Sequence, residues 1–152
     1  WPENKGRDGC RTPMSWDSNL ENAGFSEVDP WLPVKKPQLE RAAEQQKNKD
    51  SVLSFYREML KFRKNSSALS EGKTVFYDSD EPVLSFSRKS GDQNLVCVFN
   101  LSKEEVSLQI AGLKDINNHP LLDAKADGEV LSLGPNGFCF FFGDLDKDIV
   151  IQ

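Results

Sequence analysis

Hydrophobic residues recur at every third or fourth position between residues 51 and 64. This period predicts an amphipathic helix that covers an apolar surface. Asp50 or Ser51 can cap its start, and residues 65–67 end it. Residues 39–47 are strong helix formers with few apolar side chains, which predicts a short exposed helix or turn. The apolar stripe of the longer helix consists of Val52, Leu53, Phe55, Tyr56, Met59, Leu60 and either Phe62 or Arg63.

After Gly72 the pattern changes from a helical period to an alternating one. Short β-rich runs separated by polar turns predict an antiparallel sandwich. Cys97 alternates with Leu95 and Phe99 along one run, so its thiol is expected to be a buried packing group, as is that of Cys139. The predicted strands cover residues 73–77, 83–88, 95–100, 106–110, 130–133 and 138–142, and the turns cover 78–82, 90–92 and 134–137.

Residues 1–37 hold five of the eight prolines and show neither period. Proline lacks an N–H donor, so this region is predicted to be an ordered loop rather than helix or sheet. Trp16, Phe25 and Trp31 indicate that the loop packs onto something. Residues 7–17 (RDGCRTPMSWD) combine arginine, aspartate and tryptophan in a short space, a pattern typical of a loop over a ligand.

Composition excludes several classes of function. The 152 residues carry a net charge of -5 with a pI near 5.0, which disfavours a nucleic-acid partner. Three cysteines without a CxxC pair signal neither a disulfide framework nor a structural zinc site, and reduced thiols suit the cytoplasm. No leader or membrane-spanning run is present. Because the chain opens on Trp1, we expect its true N-terminus to lie upstream.

Three motifs in order carry a family resemblance. They are GRDGCRTPMSW at residues 6–16, NAGFS at 22–26 and PWLPV at 30–34, continued by SVLSFYR at 51–57. Together they resemble the exo-acting α-glucosidases of glycoside hydrolase family 13. The resemblance implies that residues 1–70 are the last loop and helix of a TIM (β/α)8 barrel. It also implies that residues 71–152 are the family's all-β antiparallel sandwich, called domain C.

The resemblance also implies a function for the whole enzyme. Such enzymes hydrolyse terminal α-linked glucose from oligosaccharides with retention, with no cofactor. Their three catalytic carboxylates would lie upstream of Trp1, so this chain alone is expected to be inactive. Asp8 and Asp17 are expected to cap turns or orient arginines rather than act in catalysis.

Two arginines are the candidate substrate-binding residues. In the resembling enzymes the arginine before Thr-Pro contacts glucose hydroxyls, and Arg11 holds that position here. Its guanidinium presents a rigid fork of donors, which suits adjacent hydroxyls. Arg7 is the reserve candidate, and a salt bridge inside the loop is the favoured interpretation of this residue.

Several alternatives stay open at this point. The parent could be a non-enzymatic relative, similar to the heavy chains of amino-acid transporters, although those tend to lose the arginine that Arg11 represents. The β half could instead bind carbohydrate by itself. However, the phenylalanines of residues 137–142 resemble residues of a hydrophobic core, and every second ring would lie partly at an interface. Linkage preference and hydrolysis versus transglycosylation are undecided. His119 is expected in an exposed turn, and the severed helix is expected to fold back, self-associate or fray.

Overall fold

The fold was analysed in a computed structural model that describes residues 6–34, 41–91, 93–113, 116 and 122–143. The chain divides into two compact units, Trp1–Glu58 and Met59–Gln152. Within the described residues, two short 3-10 helices cover Asp8–Cys10 and Glu21–Gly24, and three α-helices follow: α1 (Ala42–Lys47), α2 (Val52–Asn65) and α3 (Ser67–Glu71). The strands are β1 (Lys73–Phe76), β2 (Val83–Ser90), β3 (Gln93–Asn100), β4 (Val106–Gln109), β5 (Ala124–Asp127), β6 (Val130–Leu133) and β7 (Phe138–Phe142).

Helix α2 begins and ends where its pattern predicts. The Ser51 hydroxyl accepts a hydrogen bond from the Ser54 backbone N–H at 3.2 Å, so Ser51 is the N-cap. The same hydroxyl donates to the Gln45 carbonyl at 2.7 Å and joins the helix to the end of α1. The apolar stripe is only partly covered. Val52, Tyr56 and Leu60 are exposed, whereas Leu53, Phe55, Met59 and Phe62 are partly buried.

The strands of the second unit form two antiparallel sheets, with strand orders β1-β2-β3-β7 and β4-β6-β5. All six predicted strands are present, with ends shifted by a few residues. Strand β5 was not predicted, because its sequence Ala-Lys-Ala-Asp has no β-branched or aromatic residue and three of its four side chains are exposed. It lies at an edge and pairs only with β6 among the named strands.

One hydrophobic cluster joins the inner faces of both sheets. Each of its members is 9% exposed or less, as expected for a packed protein interior. The buried thiol of Cys139 belongs to it, and Cys97 is buried on the opposite face, which confirms the packing role predicted for both cysteines. The cluster contains Val96, Val98, Ile110, Ile116, Leu131, Leu133, Cys139 and Phe141.

The four-stranded sheet has a second apolar side, which we call the aromatic face. Strand β3 places Leu95, Cys97 and Phe99 on this side, whereas Val96 and Val98 between them enter the core, because side chains alternate along a strand. Its rings contact one another across all four strands. The aromatic face consists of Phe76, Leu84, Phe86, Phe99, Phe138, Phe140 and Phe142.

Helix α3, which the sequence did not predict as a separate helix, is held to the sheet at both ends. The side-chain oxygen of Gln93 accepts hydrogen bonds from Ser66, Ser67 and Ala68 at 3.0–3.2 Å. The Arg88 guanidinium donates to the carbonyls of Ala68 and Leu69 at the other end. The helix has a local N-cap, because the Ser66 hydroxyl accepts the backbone N–H of Leu69 at 3.3 Å, but Gln93 and Arg88 come from β3 and β2, far along the chain.

Asn100 connects the end of β3 to the neighbouring turns. Its side chain is 2% exposed. The amide nitrogen donates to the carbonyls of Glu104 at 2.6 Å and Gly134 at 2.9 Å. The amide oxygen accepts from the backbone and hydroxyl of Ser102 at 3.0 and 2.8 Å. The sequon that begins at Asn100 is therefore closed to glycosylation in the folded protein.

Candidate functional site

The first 3-10 helix places the two candidate arginines at opposite ends of one tight turn. The Arg7 carbonyl accepts the backbone N–H of Cys10 at 3.1 Å and its thiol at 2.9 Å. The Arg11 backbone N–H donates to the Asp8 carbonyl at 3.1 Å. Both arginines are exposed. The turn is thus closed by backbone groups, and it does not require either guanidinium.

Neither guanidinium has a hydrogen bond or ion pair with the part of the chain that the structure describes. The salt bridge considered for Arg7 inside the loop is therefore not formed with any described residue. An exposed guanidinium can bind hydroxyls or a carboxylate supplied from outside the loop. The substrate-binding role of Arg11 and Arg7 stays a prediction at this point.

The Asp17 carboxylate has a local structural partner. Its Oδ1 accepts the backbone N–H of Asn19 at 2.8 Å and the Asn19 side-chain amide at 3.0 Å. This is the turn in which an aspartate replaces a backbone acceptor two residues before the donor. Asp17 therefore caps a turn, as expected from the sequence.

A left-handed turn fixes the middle of the loop. Asn22, Ala23 and Gly24 have φ angles of 47°, 56° and 72°, respectively. This conformation turns the Ala23 carbonyl toward the backbone N–H groups of Trp16 and Asp17, which donate to it at 2.9 and 3.1 Å. A left-handed alanine is uncommon and costs free energy, so its presence indicates that the surrounding contacts impose the shape.

Helix α1 holds the segment that follows the candidate arginines. The carbonyls of Ser15 and Trp16 accept the backbone N–H groups of Ala42 and Ala43 at 3.3 and 2.9 Å. The Ser18 hydroxyl hydrogen-bonds the Glu44 carboxylate, and this hydrogen bond lowers the pKa of Glu44. Sequence reasoning did not select Ser18 or Glu44, because their partnership spans 26 residues and has no local signal.

The loop also presents large apolar side chains to solvent. Trp31 is 80% exposed, Trp16 is 51% exposed and Phe25 is 48% exposed. The main buried members of this region are small or aliphatic, such as Ala23 and Leu32. Indole rings with one polar edge are suited to contacts with sugars or with another protein surface. That Trp16, Phe25 and Trp31 pack the loop onto a further surface stays a prediction.

The described residues contain no cluster of three or more His, Cys, Asp or Glu side chains that could hold a metal ion. Burial raises the pKa of the Cys97 and Cys139 thiols to about 12, so neither is a nucleophile at neutral pH. His119 lies outside the described residues. Among the helices that are described, none has the length and apolarity to cross a membrane.

A surface pocket of about 450 Å³ lies in the second unit. It is bordered by the 78–82 turn and by strand β4, and it contains the carboxylates of Asp78, Asp80 and Glu81. None of its lining residues is aromatic. The pocket therefore offers no ring on which a sugar could stack.

Residues 1–72 match the family described as Alpha amylase, catalytic domain. The probable alpha-glucosidase of Rhizobium meliloti (strain 1021) is 41% identical over 86% of this chain and 24% of its own length. The glucan 1,6-alpha-glucosidase of Streptococcus pneumoniae serotype 4 is 38% identical over 88% of this chain and 25% of its own length. This chain thus spans about a quarter of each relative.

The crystal structure of the alpha-glucosyl transfer enzyme XgtA superimposes with a TM-score of 0.78 at 38% identity. The match covers 95% of this chain and 27% of that enzyme. The part of this chain that the match leaves out is shorter than either compact unit. The similarity therefore extends over both units. The mostly antiparallel second unit and the preceding loop and helices therefore fit a fragment of the α-amylase fold. The chain belongs to the alpha-amylase family, glycoside hydrolase family 13.

Proposed function

We propose that this chain is the C-terminal part of a retaining α-glucosidase, which hydrolyses terminal α-linked glucose from oligosaccharides. The observation that carries the proposal is the alignment of two relatives named as α-glucosidases over more than four fifths of the chain. The catalytic carboxylates belong to the rest of the enzyme. The chain by itself is inactive, because retaining hydrolysis needs two carboxylates held about 5 Å apart across the scissile bond.

The proposed architecture places residues 1–70 at the end of a TIM barrel and residues 71–152 in an antiparallel sandwich. The match to the catalytic-domain family ends at residue 72, immediately before strand β1 begins at Lys73. The hydrophobic cluster shared by the two sheets supports the sandwich. A cytoplasmic location stays a prediction.

Arg11 is the proposed substrate-binding residue of this chain, with Arg7 beside it. The backbone hydrogen bonds of the turn fix the position of both residues while leaving the guanidinium donors exposed. In the complete enzyme, an exposed fork of donors at the end of a barrel strand can bind adjacent hydroxyls of the terminal glucose. Binding, not proton transfer, is the role that a guanidinium can perform there.

A chimera tests this proposal. In the Rhizobium meliloti relative, this chain replaces the segment that it matches, and hydrolysis of p-nitrophenyl α-glucoside is measured. We expect the chimera to be active and the isolated chain to be inactive. The Arg11→Lys substitution should lower kcat/KM about tenfold to a hundredfold, since a hydrogen bond to a charged group contributes about 1.5–3 kcal/mol. Lys103→Ala, at an exposed position in the second unit, is the control.

Two results would contradict the proposal. Turnover by the isolated chain would mean that it contains its own catalytic carboxylates. A chimera whose kcat/KM is unaffected by Arg11→Lys would remove Arg11 from the binding site.

Glucosyl transfer is the second candidate activity of the parent enzyme. It is favoured by the similarity to XgtA, whose structure is described as that of an alpha-glucosyl transfer enzyme. Both reactions use the same kind of glucosyl intermediate and differ in whether water or a sugar hydroxyl attacks it. Product analysis of the chimera at high maltose concentration distinguishes them, because transfer yields longer oligosaccharides while hydrolysis yields glucose.

A further inference from the structure

Two kinds of contact attach helix α1 to the loop that follows Arg11. The first two backbone N–H groups of the helix donate to the carbonyls of Ser15 and Trp16 at 3.3 and 2.9 Å. A side-chain contact is added by Ser18, whose hydroxyl donates to the Glu44 carboxylate. The backbone hydrogen bonds could form with almost any sequence, whereas the hydrogen bond between Ser18 and Glu44 requires a donor and an acceptor side chain at these two positions.

The Glu44 carboxylate is ionised at neutral pH. The hydrogen bond from the Ser18 hydroxyl, together with one from the backbone N–H of Glu44 itself, lowers the pKa of this carboxyl below its usual value of 4.5. A hydrogen bond to a charged acceptor is stronger than one between neutral groups. Ser18 precedes Glu44 by 26 residues, so their contact ties together two distant parts of the first unit. Glu44 is thus the charged side chain through which α1 holds the loop.

A short, stiff connection joins the attached segment to Arg11. The segment begins at Ser15, and Pro13 lies between the two residues. The proline ring fixes φ at about −65°, which limits how far Arg11 can move relative to Ser15. The turn at Arg11 is itself closed by the hydrogen bond from its backbone N–H to the Asp8 carbonyl at 3.1 Å. A shift of the attached segment against α1 is therefore carried to the Arg11 guanidinium.

We propose that Glu44 is a positioning residue for substrate binding: through Ser18 it fixes the loop so that the Arg11 guanidinium meets the hydroxyls of the terminal glucose. This role rests on the function proposed above, and it adds a residue whose effect on binding passes through Arg11. Hydrogen bonds to hydroxyls are directional, so a displacement of the guanidinium by about 1 Å weakens them strongly. Loss of the contact between Glu44 and Ser18 is therefore expected to weaken substrate binding.

Kinetics of the chimera on p-nitrophenyl α-glucoside test this role. Glu44→Ala should raise KM about threefold to tenfold and change kcat by less than about twofold, since a binding contact equal in the ground state and the transition state acts on KM alone. Glu44→Gln keeps an oxygen that accepts from Ser18, and it should return KM to within about twofold of the unsubstituted chimera. Glu27→Ala, at an exposed position of the same loop, is the control and should leave KM unchanged.

A double-substitution cycle identifies the residue through which Glu44 acts. With Arg11→Ala no guanidinium remains to be positioned, so adding Glu44→Ala should change kcat/KM by less than about twofold. If Glu44→Ala lowers kcat/KM as much in the Arg11→Ala chimera as it does with Arg11 present, Glu44 acts elsewhere and the proposal is overturned. A Glu44→Ala chimera that loses kcat and melting temperature together, with KM unchanged, would also overturn it, because alanine is the stronger helix former and that pattern reports a general structural defect.

Amide hydrogen exchange in the isolated chain tests the attachment of the loop whatever the activity of the chimera. Glu44→Ala should raise the exchange rates of the Ala42 and Ala43 amides, which donate to the loop, by about threefold or more, whereas Glu27→Ala should not. Unchanged exchange would overturn the positioning role even in an active chimera. Faster exchange combined with an inactive chimera, or with Arg11→Ala at full activity, would support the attachment but contradict the proposed function.

Discussion

The two compact units of the chain differ in how they are stabilised. The second unit has a buried cluster drawn from both sheets and a buried amide, Asn100, that connects neighbouring turns. The first unit is held mainly by turn hydrogen bonds and leaves Trp31, Trp16 and Leu20 more than half exposed. Since burial of apolar surface is the main driving force of folding, the second unit can stand alone. The first exposes the apolar side chains that the proposed architecture assigns to contact with the rest of the enzyme.

The two units should differ most in how fast their cysteines react with a thiol reagent. Cys10 is exposed in the first unit, whereas burial raises the pKa of Cys97 and Cys139 from 9.0 to about 12. A rise of this size lowers the thiolate fraction about a thousandfold, since each pKa unit is a factor of ten. A thiol reagent at pH 8 should therefore label one cysteine rapidly, and Cys10→Ser should remove that reaction. Rapid labelling of Cys97 in the folded chain would contradict the burial of this thiol in a rigid core.

An aromatic residue from each unit gives the largest expected difference in stability. Phe141 is 1% exposed in the core and Trp31 is 80% exposed in the loop. Phe141→Ala should lower the free energy of unfolding by about 3–5 kcal/mol, because it removes burial and leaves a cavity. Trp31→Ala should change it by less than about 0.5 kcal/mol. Urea unfolding followed by circular dichroism measures both, and similar losses would mean that the loop has its own core.

An asparagine from each unit sharpens the comparison further. Asn100→Ala removes the buried amide that joins neighbouring turns and should cost about 2–3 kcal/mol, because it leaves partly buried backbone groups without these partners. Asn22 donates to the carbonyls of Ser26 and Val28 at the surface of the loop. Asn22→Ala should cost about 1 kcal/mol or less. The same urea titration measures both variants. A larger loss of unfolding free energy for Asn22→Ala than for Asn100→Ala would contradict this difference between the units.

Two glycines provide the smallest of the stability contrasts. A Cβ at Gly72 would lie 2.2 Å from the Ala68 carbonyl oxygen and 2.9 Å from that of Lys89, whereas one at Gly9 would meet no atom within 4 Å. Gly72→Ala should destabilise the second unit by about 1–3 kcal/mol, the usual cost of overpacking. Gly9→Ala should be close to neutral. Thermal melting of both variants checks this, and an unchanged melting temperature for Gly72→Ala would show that α3 can move away.

The difference between the units also explains what could be predicted from the sequence. The β half alternates strongly, so six of its strands could be predicted and only β5, an edge strand of small and charged residues, was missed. Helix α3 was missed because residues 65–67 predict the end of a helix, whereas Ser66 also caps the start of the next one, and the side chains that hold α3 to the sheet, Gln93 and Arg88, come from distant strands. In the loop, proline and glycine content predicted irregular structure, but the left-handed Ala23 could not be inferred from a residue type that rarely adopts that conformation.

For the candidate site, only the identities of its residues could be predicted from the sequence. The family motif singled out Arg11 and Arg7, and the structure shows that a backbone turn holds both while their guanidinium groups remain exposed. The binding role proposed for these groups rests on the rest of the proposed enzyme, which would supply the remaining residues of the site.

Amide hydrogen exchange in the isolated chain and in the chimera measures how far the order of the loop depends on the rest of the proposed enzyme. In the isolated chain, the amides of β3 and β7 should exchange only through global unfolding, while those around Arg7 and Arg11 should exchange through local opening with a much lower free energy. In the chimera, the loop amides should become strongly protected while those of β3 and β7 change little. Loop amides that are as well protected as β3 in the isolated chain would contradict the claim that the loop is completed by another domain.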